Sequence, residues 1–212
     1  LEDAIRMRDA ARHSGKAAVL GYNYIQNPIM RHVSAVLAEG AIGEVNHVRV
    51  EMDEDFMADP TTVFNWKSEA RSGYGALDDF AVHPLSLIHA LLGRVGSVMA
   101  DMAKPYPERA IEAGGRRAVE THDIANVLFR MASGASGVLM VNRSAWGRKG
   151  RLALQLFGSN GSIVFDQERM NEVQVYRAGG AAADAGYTTV LAGPAHTPYD
   201  RFVAAPGHGL GF

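Results

Sequence analysis

The chain has 212 residues, 47% apolar and 21% charged, with a formal net charge of −2 and no cysteine, enough for one sizeable core or one domain with an appendage. Near-neutral charge without a dense Lys/Arg run argues against nucleic acid or an anionic membrane as partner. Lack of cysteine excludes disulfides, thiolate metal sites and thiol nucleophiles, and with no apolar run near the roughly 20 residues of a spanning helix and no legible signal peptide, the chain reads as cytoplasmic.

Leu1 to Ser14 reads as an amphipathic helix, with Ala4, Ile5, Ala10 and Ala11 on one side and Gly15 as the residue that ends it. It opens without a cap, so the expectation is that this chain is part of a longer polypeptide. "AAVLGYNY", Ala17 to Tyr24, reads as a short buried strand. Asn27 followed by Pro28 is an N-cap with proline in the first turn, opening a helix that carries Ile29, Val33, Val36 and Leu37 and closes at Gly40.

"EVNHVRVEM" alternates: Val48, Val50 and Met52 face one way, His47, Arg49 and Glu51 the other, which predicts a strand with one wet or partner-covered face. Residues 53 to 72, with Pro60, Trp66, Lys67 and Arg71, lack periodicity and read as a long loop of the kind that carries function. "SGYGALDDFAVHPLSLIHALLG" then reads as a helix entered through two glycines, and "VGSVMADMAK" as a strand. From Asp123 a meander is expected: "DIANVLFRM" and "SGVLMVNRSA" joined by "ASGA", "RLALQLFG" and "SIVFD" joined through Asn160-Gly161, then "EVQVYR" and a mobile "AGGAAADAG" loop.

These elements predict an α+β fold: an open-faced, predominantly antiparallel β-sheet with helices on one face. The other face needs a cover, and a second copy of the chain is the expected one, giving a homo-oligomer through the sheet.

Asp79 and His83 stand four residues apart, one turn on a continuous helix, where a carboxylate orients an imidazole, raises its basicity and suits it to take a proton from a substrate hydroxyl. Gly73 and Gly75 allow close approach just before. The plainer alternative makes His83 a helix-start residue before Pro84, capped by Asp79. A metal held by Asp79, His83 and His89 is weakened by the spacing of His89 and by the absence of thiolates. Glu120, His122 and Asp123 read as a polar strand start, while Asn142, Arg143 and Trp146 suit either a pocket wall or an ordinary strand edge. "GHGLG" at 207–211 lacks a preceding strand and a following helix, so the chain has no phosphate-binding fingerprint of its own; nor is there a Gly-x-Ser-x-Gly elbow.

Taken in order, "LGYNYIQNP", "LAEGAIGEVNHVRV", "NWKSEARSGYGALDDFAVHPLSLIHALLG" and the run from "VETHDIANVLF" to "NEVQVY" resemble the C-terminal domain of the glucose-fructose oxidoreductase / inositol dehydrogenase / rhizopine catabolism (Gfo/Idh/MocA) family of NAD(P)-dependent oxidoreductases, over roughly residues 16–212. The most specific part is the glycine pair followed by Asp79-x-x-x-His83-Pro84. The resemblance implies a two-domain dehydrogenase. Residues 1–15 would be the last helix of a dinucleotide-binding domain that binds NAD or NADP, and residues 16–212 the substrate-binding and oligomerisation domain for a sugar, polyol or inositol-like compound. The glycine fingerprint and the Glu-Lys-Pro motif of that cofactor domain are not in this sequence, so this chain alone is expected to be inactive.

By the same resemblance His83 would exchange a proton with the substrate hydroxyl and Asp79 would orient His83 or the substrate. Trp66, Lys67 and Arg71 would line the substrate pocket, and Tyr24 and Asn27 would approach it, with Arg143 as a further candidate. Ser86 stands where the family often has an aspartate, which bears on a helix-capping or sheet contact, and Ile25 lies near a position often basic, which bears on substrate identity. The rival readings are a non-catalytic scaffold on the same fold and a metal-dependent sugar isomerase or lyase.

Overall fold

A computed structural model describes residues 2–208. An eight-stranded sheet runs in the order β10-β9-β8-β7-β1-β6-β5-β2. Its strands are β1 (Val45–Glu54), β2 (Val95–Ala103), β5 (Ile124–Met131), β6 (Ser136–Asn142), β7 (Lys149–Gly158), β8 (Gly161–Asp166), β9 (Glu172–Arg177) and β10 (Thr188–Leu191). Only β1 and β6 pair in parallel; every other neighbour is antiparallel. A small separate hairpin, β3 (Glu108–Ala110) with β4 (Arg116–Ala118), lies in a stretch without a strand-like pattern.

The alternation read from the sequence sets the layers. Val48, Val50 and Met52 of β1, Leu139 and Val141 of β6, and Leu152, Leu154 and Leu156 of β7 are buried on one face. Helices α2 (Pro28–Ala38) and α4 (Val82–Leu92), with the short α3 (Ala76–Asp79), cover that face, burying Ile29, Met30, Val33, Val36, Leu87 and Ile88 in the same core. Asn27 caps α2 as expected, its side-chain oxygen accepting from Ile29 N at 3.0 Å. The face away from the helices is apolar only toward one end, where Met99, Leu128, Val138 and Met140 of β2, β5 and β6 lie together. At its middle, Arg151 pairs with Glu51, Asp53 and Asp166 instead.

Two expectations fail for identifiable reasons, and two others hold with a difference. Residues 17–23 form no strand: Val19 and Leu20 are 90% and 77% exposed, because the described residues offer this segment no neighbour to complete a hydrogen-bond ladder. Helix α1 (Glu2–Ser14) forms, but it buries no residue. The single helix expected across 76–92 is broken at Phe80 and Ala81, since Pro84 has no N–H for the Phe80 carbonyl and its ring crowds that carbonyl. The β7–β8 hairpin turns on Ser159-Asn160, with Gly161 already paired in β8, so Asn160-Gly161 marks the hairpin without being its central pair. Most of the glycine run at 207–211 lies outside the described residues.

Because β1 and β6 are parallel, their C-terminal ends emerge at the same edge, beside the starts of the antiparallel β5 and β7. Glu54, Arg143, Asp123 and Lys149 are thereby brought to one end of the sheet, under the 55–72 loop and α3. The candidate site is built there.

Candidate active site

The loop after β1 is shaped by short 3-10 turns. Asn65 caps the first, accepting from Lys67 N at 3.0 Å, and so presents Trp66 and Lys67 together. Gly73 and Gly75 (φ +113° and +95°) then turn the chain into α3. A Cβ at Gly75 would collide with the His122 carbonyl, the same oxygen that accepts from Ala76 N at 2.8 Å. Asp78 is spent locally on the Tyr74 amide, which leaves Asp79 as the carboxylate of the two that reaches other segments.

Asp79 Oδ2 accepts from Lys67 Nζ at 2.6 Å and from Arg143 Nη1 at 3.4 Å. The Lys67 ammonium also lies 4.6 Å from the centroid of Trp66 and 5.2 Å from that of Phe56, a favourable placement over two aromatic faces. Lys67 and Asp79 are about a quarter exposed, whereas Arg143 and Asp123 are fully buried behind them, joined at 2.7 Å. The cluster thus holds two cations and two anions, one pair facing solvent and one pair sealed. Glu54, at the end of β1, extends it: burial pushes its carboxyl up, the charges of Asp55 and Asp79 add to that, and Lys67 opposes them.

His83 sits apart from this ion cluster. Its ring packs edge-on against Tyr24 at 4.8 Å and Tyr22 at 6.5 Å. Its Nδ1 is buried without a hydrogen-bond partner. Burial pulls its pKa below the ordinary imidazole value, and the negative charge of Asp79 offsets that only in part. The neighbouring carboxylate does act to raise its basicity, as its spacing implies, but desolvation outweighs that charge and the net shift is downward.

Of the residues singled out in the sequence, Lys67, Asp79, Arg143 and Trp66 come together, and Tyr24 meets His83. Arg71 points to solvent and pairs with Glu69. Asn27 spends its amide oxygen on the start of α2 and accepts a 3.3 Å bond from Tyr199 Oη. Arg143 is wholly buried, so it is neither pocket wall nor strand edge. Glu120 fixes the Ala70 amide at 2.7 Å, and Asp123, read as a mere strand start, is Arg143's counter-ion. Glu54 and Phe56 went unnoticed; the one signal for them was their place where the alternating strand runs out into the long loop. Among the described residues no three His, Asp or Glu converge as a metal-holding group, and no described helix is long and apolar enough to cross a membrane.

The α+β domain with one open sheet face and one helix-covered face matches a known family. Residues 30–164 fit the model of the GFO/IDH/MocA C-terminal domain, and the chain belongs to the GFO/IDH/MocA family. It is 31% identical to levoglucosan dehydrogenase of Pseudarthrobacter phenanthrenivorans over all of its length and 58% of that protein's. Among solved structures, levoglucosan dehydrogenase in complex with NADH and levoglucosan matches at 33% identity and TM-score 0.83, over 90% of this chain and 51% of that one. An NAD binding oxidoreductase from Klebsiella pneumoniae matches at 32% and TM-score 0.92, over 100% and 57%. The chain spans little more than half the length of these relatives.

Proposed function

We propose that this chain is the substrate half of an NAD(P)-dependent dehydrogenase acting on a hydroxyl carbon of a sugar, polyol or inositol-like compound. The observation that carries this reading is the Lys67–Asp79 pair, about a quarter exposed and backed by a buried cation, with an imidazole that burial keeps neutral nearby. Lys67 and Asp79 offer a donor and an acceptor for adjacent sugar hydroxyls, and Trp66 offers an apolar face to the ring. His83, neutral near pH 7, takes the proton of the hydroxyl being oxidised. The nicotinamide, when bound, supplies the hydride acceptor.

Among the described residues no strand leads through a glycine turn into a helix, so the nicotinamide would be held mainly by residues outside this chain. The exposed Val19 and Leu20 beside α1 suit packing against such a cofactor domain. The apolar end of the open face, with Met99 72% and Leu128 58% exposed, suits a second copy. The names of the relatives support a cyclic sugar and NAD over other choices. Incubating the full-length protein with NAD or NADP and a panel of anhydrosugars, aldoses and inositols, and following reduced nicotinamide, tests the reading. Turnover of at least one cyclic sugar is expected, and none across the panel with either cofactor would overturn it.

A further inference from the structure

Arg143 has no solvent exposure, and a buried guanidinium is retained only with its charge and donors matched. Four donor contacts account for it. Nε reaches Asp123 Oδ1 at 2.7 Å, Nη2 reaches the Lys67 carbonyl at 3.0 Å and Thr121 Oγ1 at 3.1 Å, and Nη1 reaches Asp79 Oδ2 at 3.4 Å. Its backbone is pinned as well: its amide donates to the Asp123 carbonyl at 3.0 Å, and its carbonyl accepts from Met57 N at 2.9 Å. The fork therefore grips Lys67 by its carbonyl and Asp79 by its carboxylate, while the side chains of those two residues meet each other in front of it.

Thr121 reinforces this arrangement, its hydroxyl donating to the same Lys67 carbonyl at 2.8 Å. The 66–68 turn, the end of α3 and the start of β5 thus converge on one planar group. A lysine at position 143 would preserve charge but not the rigid, multiply directed fork, because an ammonium is a point donor on a flexible stem.

From this geometry we infer that Arg143 is a positioning residue, never in contact with substrate, whose buried guanidinium sets the relative placement of the Lys67 amine and the Asp79 carboxylate. Asp123 holds the guanidinium in place. The catalytic consequence rests on the dehydrogenase reading above; the placement itself does not.

The test has one arm that needs no turnover. In the full-length protein, acylation of Lys67 by an amine-reactive reagent is followed by peptide mass spectrometry, with the well-exposed Lys149 as internal standard. Arg143→Lys is expected to raise the Lys67 rate about three- to ten-fold relative to Lys149, and Thr121→Val, which keeps the guanidinium but removes the hydroxyl that accepts from it and donates to the Lys67 carbonyl, about two-fold. In the kinetic arm Arg143→Lys is expected to lower kcat about 10- to 100-fold, as for a misplaced reacting group. The same change in an Asp79→Asn background should cost less than about three-fold, because residues acting through one another are non-additive. A merely structural arginine would give the same factor in both backgrounds. Should Arg143→Lys fail to fold, Thr121→Val alone decides through Lys67 labelling. Unchanged labelling, or an additive cycle, overturns the assignment; raised labelling in a protein that turns over no sugar leaves it standing and removes the dehydrogenase reading instead.

Discussion

Lys67 Nζ lies 2.6 Å from Asp79 Oδ2, so the carboxylate that sequence spacing assigns to His83 is held by a lysine from a different segment. Both partners are about a quarter exposed, which places the pair at the mouth of the site. Ion pairs at the surface contribute about 0–1 kcal/mol to stability, and this one keeps part of each side chain in solvent. Function rather than stability is therefore the expected cost of breaking this one. Lys67→Met should shift the melting temperature little, while kcat/KM for the sugar falls about 10²-fold or more. A large drop in melting temperature with unchanged kcat/KM would make the pair a structural one.

The imidazole supplies a pH prediction. Burial lowers the His83 pKa and Asp79 partly restores it, so the acid limb of the kcat/KM profile for sugar oxidation should fall below the ordinary histidine value of about 6.5. Removing the restoring charge with Asp79→Asn should move the His83 imidazole titration, followed by NMR, to still lower pH. An upward movement would mean that Asp79 does not act on His83 as a negative charge. His83→Ala should lower turnover by about 10²-fold with the fold intact.

The same shift is linked to stability. His83 and His32 both have lowered pKa values, in each case chiefly through burial. Between the unfolded value and the lower folded one, the unfolded chain binds more protons. Stability present above about pH 6.5 is therefore lost progressively as pH falls through the folded values, and levels off below them. For His32 the nearby His196 and Arg177 act with burial and Glu39 against it. Denaturant titrations across this range should show a steeper fall in stability on acidification for the unaltered protein than for His83→Ala or His32→Ala, the raised Glu54 carboxyl acting in the opposite direction in all three; an unchanged slope in either variant would contradict that histidine's assignment.

What the sequence disclosed follows the reach of the interactions involved. The alternation in β1, the Asn27-Pro28 cap and the meander after Asp123 depend on neighbours a few residues away, and they formed where the pattern placed them. Lys67 and Asp79 were recognisable as site residues, but their pairing was not, because it depends on β1 and β6 ending side by side. Arg143 was ambiguous for the same reason: its counter-ion lies 20 residues away and its other side-chain contacts 22, 64 and 76. The interruption was legible in the sequence, since Pro84 kinks the segment; its place, at Phe80 and Ala81, follows from the missing N–H four residues on. For Ala17–Tyr24 composition favoured a strand, but a ladder partner is a property of the tertiary structure that composition cannot report.

Gly75 is where the site-bearing helix is fastened to the sheet. Its φ of +95° is unfavourable for other residues, and a Cβ there would meet the His122 carbonyl and the Thr121 side chain. Gly114 has a similar φ of +88° but open space around it. Gly75→Ala should therefore destabilise by about 1–3 kcal/mol from strain alone, with the collision added, and Gly114→Ala should cost less. Equal shifts in denaturation midpoint for the two would show that the contact with the 121–122 segment contributes nothing.

The open face yields the last prediction. Leu128 pairs across strands with Met99 on one side and Val138 on the other, so this apolar row crosses three adjacent strands. The row meets Arg49 on β1, which lies 5.2 Å over the Phe157 ring, and the Arg151 ion cluster lies on the same face beyond it. A second copy would bury the apolar row and leave the charged part to set the register, since unpaired charges tolerate only an approach that matches them. Leu128→Asp places a carboxylate in the middle of that row without touching the helix-covered core. Sedimentation of the full-length protein should show the variant dissociating to smaller species at concentrations where the unaltered protein stays associated, with the melting temperature of the separated protomer marking what the interface itself contributes. If the variant sediments as the unaltered protein does, the apolar row is not the contact between copies.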